Sequence, residues 1–301
     1  MLHDDRSLFR QVVLLASEEM EIDSGIIEKD YYVTTFLKSL VTRQPQIIFK
    51  GGTSLSKCYN LIKRFSEDID LNLECDKRPT ESQRRHLKEN IISTIEDFGF
   101  ELINPNQVRS RRDYNRYVID FPSLFDLPTL KQYLIVETSV FLRAYPSRKM
   151  NASSFVYEYL KQINRDDIIF QFALEPFELN VQSVERTFID KLFALGDYYL
   201  DGRIMEHSRH IYDLHKMYDV IEIDDSLAEL FRIVRNERGG HAACLSAQNQ
   251  INLKVLLQKI IDENAYKSDY ETVTAGLLFE NVTYNTAIDT LQKILNSGLL
   301  D

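Results

Sequence analysis

The stretch Phe49-Lys-Gly-Gly-Thr-Ser-Leu-Ser-Lys57, followed by Arg64-Phe-Ser-Glu-Asp-Ile-Asp-Leu71, constrains this chain more than any other feature. A glycine pair lets backbone N–H groups approach an anion closely, because glycine has no Cβ in the way. Residues 46–49 read as a short strand entering that turn. Residues 54–62 read as a helix whose N-terminus faces it, where partial positive charge suits phosphate. Residues 69–73 alternate apolar and polar side chains and read as a second strand. Strand side chains alternate with period two, so Asp68 and Asp70 share a face. Two carboxylates on one face suit Mg2+ or Mn2+, hard ions that also take phosphate oxygens. A phosphate cradle followed by a carboxylate pair implies chemistry on a nucleotide.

The surrounding pattern predicts an α+β chain. Helical spacing runs over 8–19, over 25–42 with Asp23 or Ser24 as cap, and over 81–98 with Gly99 placed to end it. Residues 116–121 and 133–142 are rich in Tyr, Val, Ile and Phe and read as strands. After about residue 183 the character changes, and 184–200, 205–220, 226–236, 252–265 and 283–296 all carry helical periodicity. The expected layout is a mixed sheet with flanking helices over 1–180 and a helical domain over 181–301 that completes an active-site cleft. A length of 301 residues suffices for both.

Cys58, Cys75 and Cys244 show no Cys-x-x-Cys spacing, which speaks against structural zinc and for a reducing compartment. The opening residues are too polar for a signal peptide, and no apolar run approaches the ~18 residues of a membrane span. The expectation is a cytoplasmic protein without membrane contact. A net charge of −10 argues against a general nucleic-acid coat. Local basic clusters remain at Arg109, Arg111, Arg112 and Arg116, and at Arg84, Arg85 and Lys88. Each is either a solvated face or a docking surface for RNA.

Two-metal chemistry calls for a third carboxylate on a neighbouring strand. Glu137, in Val136-Glu-Thr-Ser-Val140, is the leading candidate, since a charge in such a strand is costly unless paired or metal-bound. Asp120 competes with it. Lys191 sits in a largely apolar helix and either snorkels to solvent or holds a triphosphate as a point charge. Glu185 and Asp190 are close enough to position it. On the next helix, Asp213 and His210 share a face, and Asp213 is either a general base or an ion-pair partner that orients Lys191. There is no Gly-x-x-x-x-Gly-Lys-Ser/Thr loop, no Gly-x-Ser-x-Gly elbow and no His-Glu-x-x-His helix. Asp97-Phe-Gly99 stands without the other kinase motifs and reads as a helix end.

Gly51-Gly-Thr-Ser-Leu-Ser56 with Arg64-Phe-Ser-Glu-Asp-Ile-Asp70 resembles the nucleotidyltransferase signature of the AbiEii/AbiGii toxin family, in the DNA polymerase β-like superfamily. Ile27-Glu-Lys-Asp-Tyr31 resembles its N-terminal helix, Glu185 and Lys191 its lysine motif, and Arg209-His-Ile-Tyr-Asp-Leu214 a further motif. His210 stands where the family often has aspartate. The resemblance implies a nucleotidyltransferase-type fold with metal on Asp68, Asp70 and Glu137, and catalysis by these with Lys191 and Asp213. It places the nucleoside triphosphate on Gly51, Gly52, Thr53, Ser54, Lys57, Ser66 and Lys191. It implies the toxin of a type IV toxin–antitoxin or abortive-infection system, with tRNA as candidate acceptor and a cognate antitoxin as partner. A phosphotransferase and a non-catalytic nucleotide-binding protein are the alternatives.

Overall fold

Strand alternation in residues 68–73 becomes the middle of a seven-stranded mixed sheet. The computed structural model describes residues 1–66, 68–75, 77–125 and 132–301, so Glu67 of the aspartate string lies outside the described residues. The chain forms two compact units, residues 1–59 with 66–182 and residues 60–65 with 183–301.

In the first unit the strands are β1 (Ile47–Lys50), β2 (Asp68–Leu73), β3 (Glu101–Leu102), β4 (Tyr114–Asp120), β5 (Tyr133–Ser139), β6 (Ser147–Ala152) and β7 (Phe177–Gln182). Their order is β3-β4-β5-β2-β1-β7-β6. β2 pairs antiparallel with β1 and parallel with β5. The helices are α1 (Arg6–Met20), α2 (Ser24–Arg43), α3 (Gly51–Lys57), α4 (Glu81–Asp97), α5 (Phe155–Gln162) and α6 (Asp166–Gln171). One sheet face is apolar. Ile47 and Phe49 of β1, Ile69, Leu71 and Leu73 of β2, and Leu134 and Val136 of β5 join a core with Val12, Tyr31, Phe36 and Ile91 from the helices. Asp23 caps α2 by accepting from the Gly25 N–H at 2.9 Å, and Gly99, at φ +64°, follows α4 where the chain must turn left-handed.

Three local expectations change. The glycine pair does not precede the helix but opens it, because Gly51 adopts φ +76° and carries β1 straight into α3. That helix ends at Lys57, and Asn60 at φ +51° turns the chain away. The region between 142 and 183 also holds β6, β7, α5 and α6. β6 reads Ser-Arg-Lys-Met-Asn-Ala, an edge strand too polar to announce itself.

The second unit has α7 (Val184–Leu200), α8 (Arg209–Tyr218), α9 (Asp225–Gly239), α10 (Leu253–Asp262), α11 (Lys267–Thr272) and α12 (Tyr284–Asn296). Side-chain caps from Ser183, Asp224, Asn252 and Thr283 begin four of them. Residues 60–65 are stitched into this unit by Phe65 N–H to Leu277 O at 2.9 Å and Phe279 N–H to Lys63 O at 2.8 Å. Among the described residues no helix is long and apolar enough to cross a membrane.

Lys57 has a part in the fold that its place in the motif did not suggest. Its ammonium is ion-paired with Asp30 of α2 and donates to Thr34 Oγ1 at 2.6 Å, and Asp30 also accepts the Phe155 N–H at 2.8 Å. The two charged side chains are only 5% and 10% exposed. Lys57→Ala is therefore expected to cost about 3–5 kcal/mol in denaturant unfolding, because it strands a buried carboxylate. The double variant Lys57→Met with Asp30→Asn should recover most of that loss; a double variant no better than the single would sink this account.

Candidate active site

The first candidate cluster grows from the polar face of β2. With Ile69, Leu71 and Leu73 committed to the core, Asp68 and Asp70 must face the other way. Register then aligns their neighbours. Arg116 opposes Glu137, Glu137 opposes Asp70, and Asp70 opposes Lys50, across β4, β5, β2 and β1. Cross-strand partners share a face, so a row of cation, two anions and cation crosses the sheet, with Asp68 two residues along. Asp120 is exposed at the far end of β4, in register with Tyr133, so Glu137 is the carboxylate beside Asp70.

The start of α3 lies against this row. A Cβ on Gly51 would sit 2.0 Å from Asp70 Oδ2, so no side chain other than hydrogen fits there. Thr53 donates its hydroxyl to the Asp68 carbonyl at 2.6 Å and lies 3.0 Å from the Ser66 hydroxyl. Ser54 Oγ donates to the Gly51 carbonyl at 2.9 Å. These hydroxyls fix α3 against β2. Gly51 and Gly52 are half-buried, while Thr53 and Ser54 are buried. Of the residues expected to hold a nucleotide, Lys57 faces Asp30.

Glu137 is held by Tyr114, whose hydroxyl donates at 2.9 Å, and by Arg116 Nε at 3.4 Å. Burial pushes its carboxyl above the usual range and the charge of Asp68 adds to that, outweighing Tyr114, Arg116 and Lys50. Burial and Glu137 together also push the Tyr114 phenol up. Among the described residues no three acidic, histidine or cysteine side chains already form a metal-holding group, and Glu137's engagement with Tyr114 and Arg116 is part of the reason. The donor chemistry nevertheless fits a divalent ion. Mg2+ binds through one or two carboxylates plus phosphate oxygens, and Asp68 and Asp70 supply two on one face.

The second cluster lies within the helical unit. Asp213 on α8 is fully buried and accepts from Arg64 Nε and Nη2, each at 2.7 Å, while Lys191 Nζ stands 2.6 Å from its Oδ2. Burial alone would raise the Asp213 carboxyl, but Arg64 and Lys191 outweigh it and hold the group below the usual carboxylate range. A carboxylate so held is a poor proton acceptor, so the geometry makes Asp213 a positioning residue for Lys191. Arg64 is the partner that sequence reasoning missed; the signal was its invitation to be read with the aspartates rather than with α8. His210 Nδ1 lies 3.4 Å from Lys191 Nζ, and burial and that ammonium hold its imidazole neutral. Asp190 is paired with Arg186 and Arg238, each at 3.1 Å, and Glu185 sits in the first turn of α7.

Residues 35–294 match the family described as nucleotidyl transferase AbiEii toxin, type IV TA system. No curated protein matches the chain. Among solved structures the chain resembles MenT4, the nucleotidyltransferase toxin Rv2826c from Mycobacterium tuberculosis H37Rv. The identity is 18% and the TM-score 0.58, over 98% of this chain and 89% of that one, a likeness of fold.

Two outcomes follow from the electrostatics. Because the folded state raises the Glu137 pKa, its ionised form costs stability above the ordinary carboxylate pKa and nothing below it. Glu137→Gln should thus melt a few degrees higher than the parent at pH 8, with the gap closing near pH 4; a gap independent of pH would contradict this. Asp213 has the opposite sign, its stabilisation being present above the ordinary carboxylate pKa and lost as pH falls. Asp213→Asn should cost about 3–5 kcal/mol, roughly 10 °C in melting temperature, by leaving Arg64 and Lys191 buried without their anion. A melting temperature unchanged at neutral pH would exclude that role.

Proposed function

The chain belongs to the AbiEii nucleotidyltransferase toxin family of type IV toxin–antitoxin systems, and on that footing we propose that it moves a nucleotide from a nucleoside triphosphate onto the 3′ end of an RNA, with tRNA as acceptor. The observation that supports this reading most is the charge row Arg116–Glu137–Asp70–Lys50, with Asp68 beside it and the opening of α3 against it.

In this reading the half-buried glycine backbone at the start of α3 binds the triphosphate. Asp68 and Asp70 hold Mg2+ or Mn2+, which when bound polarises phosphate oxygens and lowers the pKa of a coordinated hydroxyl. Glu137 then has two uses. Released from Arg116 it completes the ligand set; as it stands, its raised pKa suits it to take the proton of the acceptor hydroxyl. The acceptor oxygen bonds to the α-phosphorus, the bond from that phosphorus to the bridging oxygen breaks, and pyrophosphate leaves with the electron pair. Lys191 grips phosphate as a point charge, kept in place by Asp213 and Arg64. A cognate antitoxin is the partner that a type IV system implies.

The test is incubation of purified protein with Mg2+, total tRNA and each α-labelled triphosphate in turn, beside Asp68→Ala and Asp70→Ala. Label should enter RNA with the intact protein alone, and both variants should lose at least about 100-fold in rate. Retained turnover in either variant would overturn the metal assignment. Release of nucleoside diphosphate instead of pyrophosphate would replace nucleotidyl transfer with phosphotransfer.

A further inference from the structure

A cavity of about 750 Å3 opens in the first unit, lined by residues that the chemistry above does not use. Its wall includes Ile48, the register partner of Asn72. Asn72 is two residues along β2 from Asp70, so the cavity lies on the same sheet face as the carboxylates, about 7 Å up the strand. The volume is that of a small-ligand pocket. Its lining is unlike a metabolite pocket, however. Lys77, Arg78 and Arg143 bring three cations against one acid, Glu74, in a chain whose net charge is −10. Tyr145 adds an aromatic ring that is 69% exposed.

The rim continues the same character. Arg78 reaches Asp113, which also accepts from Arg84 Nη1 at 2.7 Å, and Arg111 pairs with Glu81 at 3.1 Å. The two basic clusters that are far apart in sequence therefore meet beside the cavity. Cations along a groove with an exposed aromatic ring are how single-stranded nucleic acid is held, since phosphates meet the charges and a base meets the ring.

We propose that this cavity is the subsite for an unpaired nucleotide of the acceptor RNA, one or two positions before its reacting 3′ hydroxyl. Its base stacks on Tyr145 above Ile48, and its phosphates lie on Arg143, Lys77 and Arg78. The spacing agrees, because about 7 Å along β2 corresponds to about two nucleotides at 3.4 Å each. This rests on the proposal that RNA is the acceptor.

The experiment uses the full chain with Tyr145→Ala, Arg143→Glu and Lys77→Glu, all at exposed positions. Binding of a fluorescein-labelled single-stranded oligoribonucleotide with a free 3′ hydroxyl is followed by anisotropy, without triphosphate, over a range of salt. Binding of a non-transferable α,β-methylene triphosphate is measured separately. Tyr145→Ala should weaken oligonucleotide binding by about 5- to 100-fold and leave its salt dependence alone. The two charge reversals should weaken binding and flatten the salt dependence. Triphosphate affinity should be unchanged in all three. Unchanged RNA binding in Tyr145→Ala overturns the subsite, and equal loss of RNA and triphosphate reassigns the cavity to the incoming base and overturns it too. If the intact protein labels RNA while Tyr145→Ala binds the oligonucleotide normally, the subsite fails and the transfer reading stands. If no label enters RNA but oligonucleotide binding still depends on Tyr145, the transfer reading fails and the subsite stands.

Discussion

Everything in the first unit depends on how β2 is gripped. Its apolar face, Ile69, Leu71 and Leu73, is buried in the core, and its two neighbours hold it by an antiparallel ladder on one side and a parallel one on the other. A slip of one residue would drive Asp68 and Asp70 into hydrocarbon and bring three apolar side chains out. The cost of burying carboxylates without partners makes that slip prohibitive. Core packing on one face is thus what makes a charged site possible on the other.

The charged face is then organised by register. Lys50 and Arg116 stand at the ends of a row whose middle is two carboxylates on adjacent strands. Two like charges at cross-strand positions repel, and the raised pKa of Glu137 is the trace of that repulsion added to burial. A site of this kind is destabilised on its own and gains from any cation. That is the usual relation between a functional site and the fold that carries it, in which local strain is tolerated because the core over-determines the geometry.

The helical unit solves a related problem differently. There one buried carboxylate, Asp213, faces two cations, Arg64 and Lys191, at hydrogen-bond distance. Such a triad is weak support for stability as such, yet it is unforgiving of the loss of its anion. Its consequence is orientation. Lys191 has few rotamers open to it while Asp213 and Arg64 are in place, so its ammonium is a placed charge rather than a mobile one.

The sequence by itself determined the elements whose residues carry a short-range signature. The period-two pattern at 69–73 placed both aspartates on one face, and long helical stripes such as 184–200 were readable because periodicity accumulates with length. The glycine pair was legible as a turn but not as the first turn of α3, since a positive φ at Gly51 leaves no mark in composition. What only the tertiary structure decided were the pairings between segments distant in the chain. Lys57 reads as part of a phosphate motif but faces Asp30. Arg64 reads as part of the aspartate string but belongs to Asp213, and Glu137 rather than Asp120 stands beside Asp70 because β5 runs parallel to β2 in one register. The physical reason is the same in each case: a charge is fixed by the nearest opposite charge or desolvating surface in space, and those neighbours are chosen by strand pairing and helix packing, not by position along the chain.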